Sequence, residues 1–328
     1  MSASYPSKPE GRLQDYWEKP VRELVLLPNL VFIEGAAERH TMYSLLTMAL
    51  VAGYWNGNKR GPDGEYPWRP KQRDNSGRYI GGNYLGHNIA CIGIDGKGHV
   101  IDFDFNHNDL LNSSVEHAES RLIRRVFSLT QIYDDWATRG TYPSLQAIPY
   151  STVLSDVTVY TSLESCSQCS GIMALGSVKE VVFLQRDPGQ NSIGNILRNL
   201  SPVGGRYLPP LPIPADLFGF QYFPALVSAF DNFAARVGQK PFYKAPDGSK
   251  DNAPSITSFL CTDEAQSLFN AARSDLDNYK PKFPTFRPAA ADGTEVADAL
   301  TNEQALQHIK RFLTYAIMEG HRGTPHKL

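Results

Sequence analysis

Three metal-binding side chains, set in two short runs, constrain this chain more than anything else in it. Residues 117 to 119 read His-Ala-Glu and residues 166 to 169 read Cys-Ser-Gln-Cys, so His117, Cys166 and Cys169 offer one imidazole and two sulfurs. Glu119 is left as a spare carboxylate. A catalytic zinc takes three protein ligands and keeps its fourth position for water. A fold that uses these residues together must carry two distant segments to one point.

Either run alone is weak, because Cys-x-x-Cys also serves redox pairs and structural zinc knuckles. The surroundings sharpen them. Ser113 and Glu116 form a Ser-x-x-Glu capping box, predicting a helix that runs from there through Leu122, Val126 and Leu129 toward Trp136, with His117 and Glu119 near its start. Val157 to Ser162 reads as a strand, and Ser165 to Gln168 repeats the capping pattern. A helix over 166–175 then carries both thiols on one face, because they are three residues apart. Residues two apart on a helix point in different directions, so Glu119 is better placed to move protons than to ligate the metal beside His117.

Around these motifs the chain reads as alternating strands and helices. Ile89 to Ile94 and Val100 to Phe105, joined by Asp95-Gly96-Lys97-Gly98, predict a β-hairpin. Asp102 and Asp104 alternate with apolar residues there and read as the solvated face of the second strand. Val178 to Leu184 is a further strand, 191–200 a helix, and Pro202 to Pro214 a proline-rich linker. Upstream, Val21 to Leu27 and Leu30 to Ile33 read as a small hairpin or two irregular strands, 38–56 as a buried helix, and 57–86 as a long loop or insertion with a basic cluster (Lys59, Arg60, Arg69, Lys71, Arg73). Helices are expected near 215–237, 255–275 and 302–319. The division that follows is an N-terminal extension over 1–87, a catalytic core over 88–201 and a helical C-terminal extension over 202–328.

Composition excludes more than it assigns. With 328 residues, 41% hydrophobic and 20% charged, the chain is long enough for a sizeable core and is neither fibrous nor disordered. A net charge of −2 gives no global attraction to polyphosphates. Four cysteines do not make a disulfide framework, and Cys91 and Cys261 read as buried small hydrophobes. Met1 to Gly11 lacks a secretory pattern and no apolar run is long enough for a bilayer, so cytoplasmic residence without membrane contact is expected.

On these motifs the chain resembles the zinc-dependent cytidine deaminase-like superfamily, nearest its tRNA adenosine deaminase and guanine deaminase branch. The resemblance covers 88 to about 200. It is carried by Asp104-Phe105-Asn106, His117-Ala118-Glu119, Ser162-Leu163-Glu164-Ser165-Cys166-Ser167-Gln168-Cys169 and Val181-Val182-Phe183-Leu184-Gln185-Arg186-Asp187-Pro188. It implies an α/β fold, a three-layer mixed sheet flanked by helices. It also implies Zn2+ held by His117, Cys166 and Cys169, attack on a base by zinc-bound hydroxide, and Glu119 as proton shuttle. Asn106 and the backbone of Ala118 are the matching substrate contacts. The substrate would be a base, a nucleoside or single-stranded nucleic acid, and the assembly a homodimer or larger. The Arg-Asp-Pro run tilts the choice toward a purine, guanine or adenine in RNA, with cytosine as the alternative.

This chain departs from the family at Ser165, where proline usually precedes the first cysteine; a helix N-cap is the expected use of that serine. Residues around 138–156 lengthen the path between motifs, and the tail past Pro202 has no counterpart. Two other classes remain open. A zinc-bearing binding protein on the same scaffold would not release ammonia, and a thiol redox enzyme would join Cys166 to Cys169.

Overall fold

A computed structural model of the protein describes residues 20–27, 29–55, 86–108, 111, 113–127, 154–201, 208–239, 243–244, 250–251, 255–289 and 293–319. The 57–85 part of the expected long loop, with its basic cluster, and the lengthened path up to 153 lie outside them, as does everything past 127 in the helix expected to run toward Trp136.

Strands β1 (Ala90–Ile94) and β2 (Val100–Phe105) form the expected hairpin. Gly98 closes its turn at φ 96°, a left-handed conformation that glycine adopts without strain. Strands β3 (Thr158–Thr161), β4 (Glu180–Phe183) and β5 (Leu211–Pro214) complete one sheet in the order β2-β1-β3-β4-β5. The hairpin and the β1–β3 pair are antiparallel, whereas β3, β4 and β5 run parallel. The α/β mixed sheet implied by the resemblance is therefore present, with a helical layer on each face.

Strand periodicity decides what each layer meets, since neighbouring side chains point to opposite faces. After the short helix α1 (Val21–Leu24), one face is covered by α2 (Glu34–Gly53), which packs on β1 and β3. On this side Phe105 of β2 meets Tyr54 at 4.8 Å between ring centroids, and the Tyr160 hydroxyl of β3 meets His40 Nδ1 at 2.8 Å. The other face is covered by α3, a helix over 118–127, and by α4 (Ser167–Leu175). Gly93 of β1 lies there beneath Leu122 of α3.

Beyond the sheet's last crossover helix, α5 (Ile193–Leu200), come α6 (Tyr222–Gln239), α7 (Ile256–Phe259), α8 (Asp263–Asn278) and α9 (Asn302–Glu319). α8 and α9 pack on the far side of α2, and Phe312 of α9 reaches Phe103 at 5.4 Å. α2 is thus apolar nearly all round because it is buried between sheet and C-terminal helices. Glu38 ties the layers: its carboxylate accepts from Phe283 N at 2.9 Å and from Asn302 Nδ2 at 3.1 Å. No described helix is long and apolar enough to cross a membrane.

Several sequence expectations are corrected here. Val21 to Leu27 forms the single turn α1 and an irregular segment, and 29–33 pairs with no strand. The backbone of this segment is instead held by α5, where Asn195 Nδ2 donates to Val25 O at 3.1 Å and Asn199 Nδ2 to Leu24 O at 2.7 Å. The stretch read as linker contains β5, so the sheet continues past residue 201. Leu211 N donates inward to Lys179 O at 3.1 Å, which turns residues 212 and 214 outward. Those positions are Pro212 and Pro214, which have no N–H to lose on an edge strand.

Asp102 and Asp104 are not solvated: both are fully buried beneath α3. Arg125 Nε lies 3.0 Å from Asp102 and Arg121 Nε 3.1 Å from Asp104, so the helix brings cations to the strand's acidic face. The same carboxylates finish the sheet's edge. Asn106 N donates to Ile89 O, which by antiparallel alternation leaves Phe103 N and Phe105 N facing outward. Asp102 Oδ1 and Asp104 Oδ1 accept from them at 2.8 Å each, and His308 Nε2 accepts from Val100 N at 2.9 Å.

Candidate metal centre

His117 and the two cysteines meet because α3 and α4 begin side by side on one face of the sheet. His117 supplies the first carbonyl of α3, accepting from Arg121 N, and Cys166 is the N-cap residue of α4, accepting from Ser170 N. The position of the α3 start follows from a bond across the loop: Asn106 Oδ1 accepts from Ala118 N at 2.8 Å. Glu116 reinforces it, since its carboxylate takes Arg121 Nη1 at 2.7 Å and Arg124 Nη2 at 2.8 Å.

The capping boxes expected from sequence are not formed. Ser113 Oγ accepts from Val115 N at 3.4 Å while Glu116 turns to the arginines, and Ser165 lies one residue before the N-cap of α4. Its hydroxyl goes elsewhere, to Glu119.

The donor atoms of His117, Cys166 and Cys169 all lie within 4.8 Å of one another, and they are the only such group of three or more His, Cys, Asp or Glu among the described residues. His117 Nδ1 is 3.4 Å from Cys166 Sγ and 3.7 Å from Cys169 Sγ. Tetrahedral zinc with a Zn–N of about 2.1 Å and a Zn–S of about 2.3 Å separates nitrogen from sulfur by about 3.6 Å. Both nitrogen–sulfur separations therefore match what a zinc ion would impose, and the two sulfurs lie within 4.8 Å of each other. Neither His99 nor His107 joins them: His99 pairs with Asp95 at 3.4 Å and His107 Nδ1 with Phe105 O at 2.8 Å.

The protons of this cluster are already polarised. A hydrogen bond from Cys169, and next to it one from His117, holds the Cys166 thiol down to about 4, well into the thiolate range. The same bond to Cys166, together with burial, pushes the Cys169 thiol up. His117 is raised by its bond to Cys166.

Glu119 stands beside the triangle, buried, with its carboxyl raised chiefly by that burial. Its Oε1 accepts two hydroxyls, Thr161 Oγ1 at 3.0 Å from β3 and Ser165 Oγ at 3.2 Å from the loop before α4. Sequence reasoning missed both partners. The strand register of Thr161, which puts it on the α3 face, is the signal that would have found the first. Asn106 and Ala118 sit adjacent to each other and are buried, bonded as described. Arg186 and Asp187 form a turn: Asp187 Oδ1 accepts from Gly189 N at 2.8 Å, and Asp187 N donates to Glu164 Oε2 at 3.1 Å. Cys91 and Cys261 are buried, as expected.

No family model matches the sequence, and no curated protein matches it. Among solved structures, the chain is similar to a tRNA:A34 deaminase from work on A-to-I editing at the wobble position, at 17% identity. That match covers 42% of this chain and 83% of that one, with a TM-score of 0.30. It is similar to a guanine deaminase from Nitrosomonas europaea, at 17% identity over 42% of this chain and 73% of that one, with a TM-score of 0.26. A guanine deaminase from Bacillus subtilis matches at 19% identity over 45% and 82%, with a TM-score of 0.25. Overlap of this extent carries no functional assignment, which has to stand on the side chains.

Proposed function

We propose that this chain is a zinc-dependent hydrolytic deaminase that removes an exocyclic amino group from a base. One observation carries the reading: two sulfurs and an imidazole nitrogen sit at zinc-ligand separations with a buried, non-ligating carboxylate beside them. A structural zinc site closes its fourth corner with another cysteine or histidine, and no such residue joins this group among the described residues.

His117, Cys166 and Cys169 would hold the metal. When bound, zinc lowers the pKa of a water to about 7 and so supplies a nucleophile near neutral pH. Glu119 takes a proton from the attacking water and delivers it to the ring nitrogen of the base, then takes the second proton from the new hydroxyl as the carbonyl forms and passes it to the amine, which departs as ammonia. Its place between two hydroxyl donors keeps the carboxyl aimed while burial keeps bulk water away. Asn106 is proposed to meet the base through its Nδ2, because its Oδ1 is bonded to Ala118 N at 2.8 Å, and the base would reach the Ala118 backbone only by displacing that bond. The sequence resemblance of the Arg186-Asp187-Pro188 run supports a purine as the substrate class, either guanine or adenine within RNA, with cytosine as the alternative.

The test is an ammonia-release screen over purine and pyrimidine bases, nucleosides and single-stranded oligonucleotides, run beside Glu119→Ala. The wild-type chain is expected to release ammonia from a purine class. Glu119→Ala should lose at least about a hundredfold in rate and still bind one zinc. Full activity in that variant ends the mechanism. Zinc binding with no ammonia from any substrate would favour a binding protein instead.

A further inference from the structure

Glu119 has two oxygens, and the fold treats them differently. Thr161 Oγ1 and Ser165 Oγ both donate to Oε1, at 3.0 and 3.2 Å, so that oxygen is saturated by two hydroxyls from two separate elements. Neither hydroxyl bonds to Oε2. Thr161 is fully buried and Ser165 nearly so, which removes competing water from both bonds. Thr161 is fixed by β3, where it pairs with Cys91 across the β1 ladder and with Phe183 across β4. Ser165 is fixed by the chain entering α4, one residue before Cys166 and its Sγ ligand. The carboxylate is therefore clamped between the sheet and the segment that carries the metal ligands.

From this we infer that Thr161 and Ser165 are positioning residues for Glu119: their hydroxyls hold Oε1 and leave Oε2 as the oxygen that exchanges protons with the substrate. The inference rests on the deaminase reading above and deepens it. A carboxylate free to rotate would present either oxygen and would swing toward the metal or away from the base. Two donors on one oxygen select a single rotamer, and proton transfer depends on that geometry. Ser165 precedes the N-cap Cys166, so its hydroxyl makes no capping bond and donates into the site instead.

The experiment compares Thr161→Val, Ser165→Ala, the double variant and Ser165→Thr with the wild-type zinc protein. Each hydroxyl removed is expected to lower kcat by about tenfold with KM within about twofold. Ser165→Thr, which keeps a hydroxyl, should recover most of the rate. Bound zinc and the melting temperature are measured in parallel, and both should stay near wild type in the single variants. A second readout needs no turnover: the infrared carboxylate bands of Glu119, assigned by subtracting the Glu119→Gln spectrum, should shift when either hydroxyl is removed.

Unmoved bands in the double variant overturn the inference, as does a kcat unchanged in both single variants while the wild type turns over. A loss of rate explained entirely by lost zinc also overturns it, by making the two residues structural. Silence of the zinc-loaded wild type on every base is a different failure, and it removes the underlying deaminase reading as well.

Discussion

The two faces of the central sheet are built from alternate residues of the same strands, yet they do opposite work. On β2, Asp102 and Asp104 turn to the α3 side while Phe103 and Phe105 turn to α2 and α9. On β3, Thr161 turns to Glu119 and Tyr160 turns to His40. The first face is polar, ion-paired and adjacent to the His117, Cys166 and Cys169 cluster; the second is aromatic and closed by the C-terminal helices. A single strand thus carries both the chemistry and the platform that keeps it rigid, and the division is set by one-residue parity.

That contrast is breakable from either side. Cys169→Ala should produce the largest change, reducing bound zinc from one per chain to near none and ammonia release to background, as read by metal analysis and the release assay. Phe103→Ala, on the opposite face, should destabilise the fold by about 3–5 kcal/mol through the cavity it leaves. Zinc per folded chain should remain at one in that variant, which denaturant titration with metal analysis would check. If Phe103→Ala instead emptied the metal site of folded protein, the faces would not be separable.

Asp104→Ala sharpens the polar side, since it removes one of the two carboxylates that each of Arg121 and Arg125 meets, leaving Glu116 and Asp102, and should destabilise by about 2 kcal/mol. The loss should be seen in denaturant titration, and a second effect on turnover is expected because Arg121 also helps place the start of α3. A change below about 0.5 kcal/mol would mean that the arginines swing out to solvent freely.

The smallest effect belongs to His40. Burial first, and Lys179 and Arg39 after it, hold its imidazole down to about 4 against the opposing pull of Glu180. Unfolding returns it to near 6.5, so the unfolded chain binds the proton more readily between those values. Its contribution to stability is full above pH 6.5 and declines as the pH falls toward 4. Because the residue is only partly buried, His40→Asn should flatten that stretch of the stability profile by under about 1 kcal/mol per pH unit. Melting curves from pH 7 to 4.5 would show it, and identical slopes would dismiss it.

Much of the site was legible because its chemistry is local. His117, Cys166 and Cys169 announce themselves by residue type and short spacing, and Glu119 by its offset from the histidine. What was not legible depends on contacts between distant segments. Alternation in β2 says that Asp102 and Asp104 share a face, but only the arrival of Arg121 and Arg125 decides that the face is buried. Ser113 and Ser165 fit a capping pattern that the backbone never uses, because Glu116 is taken by arginines and Ser165 by Glu119. Prolines at 212 and 214 read as a linker, since a strand interior excludes them; on an outermost strand facing outward they are harmless.

Those prolines and the aspartates of β2 have a joint effect on how copies of this chain meet. At one rim of the sheet the outward amide hydrogens are already occupied by the molecule's own side chains, and at the other the outward nitrogens carry no hydrogen at all. A neighbouring strand that approached either rim would find no donors to zip onto. Growth of this sheet by continuous strand addition, the route to fibrils, is therefore disfavoured at both of its rims.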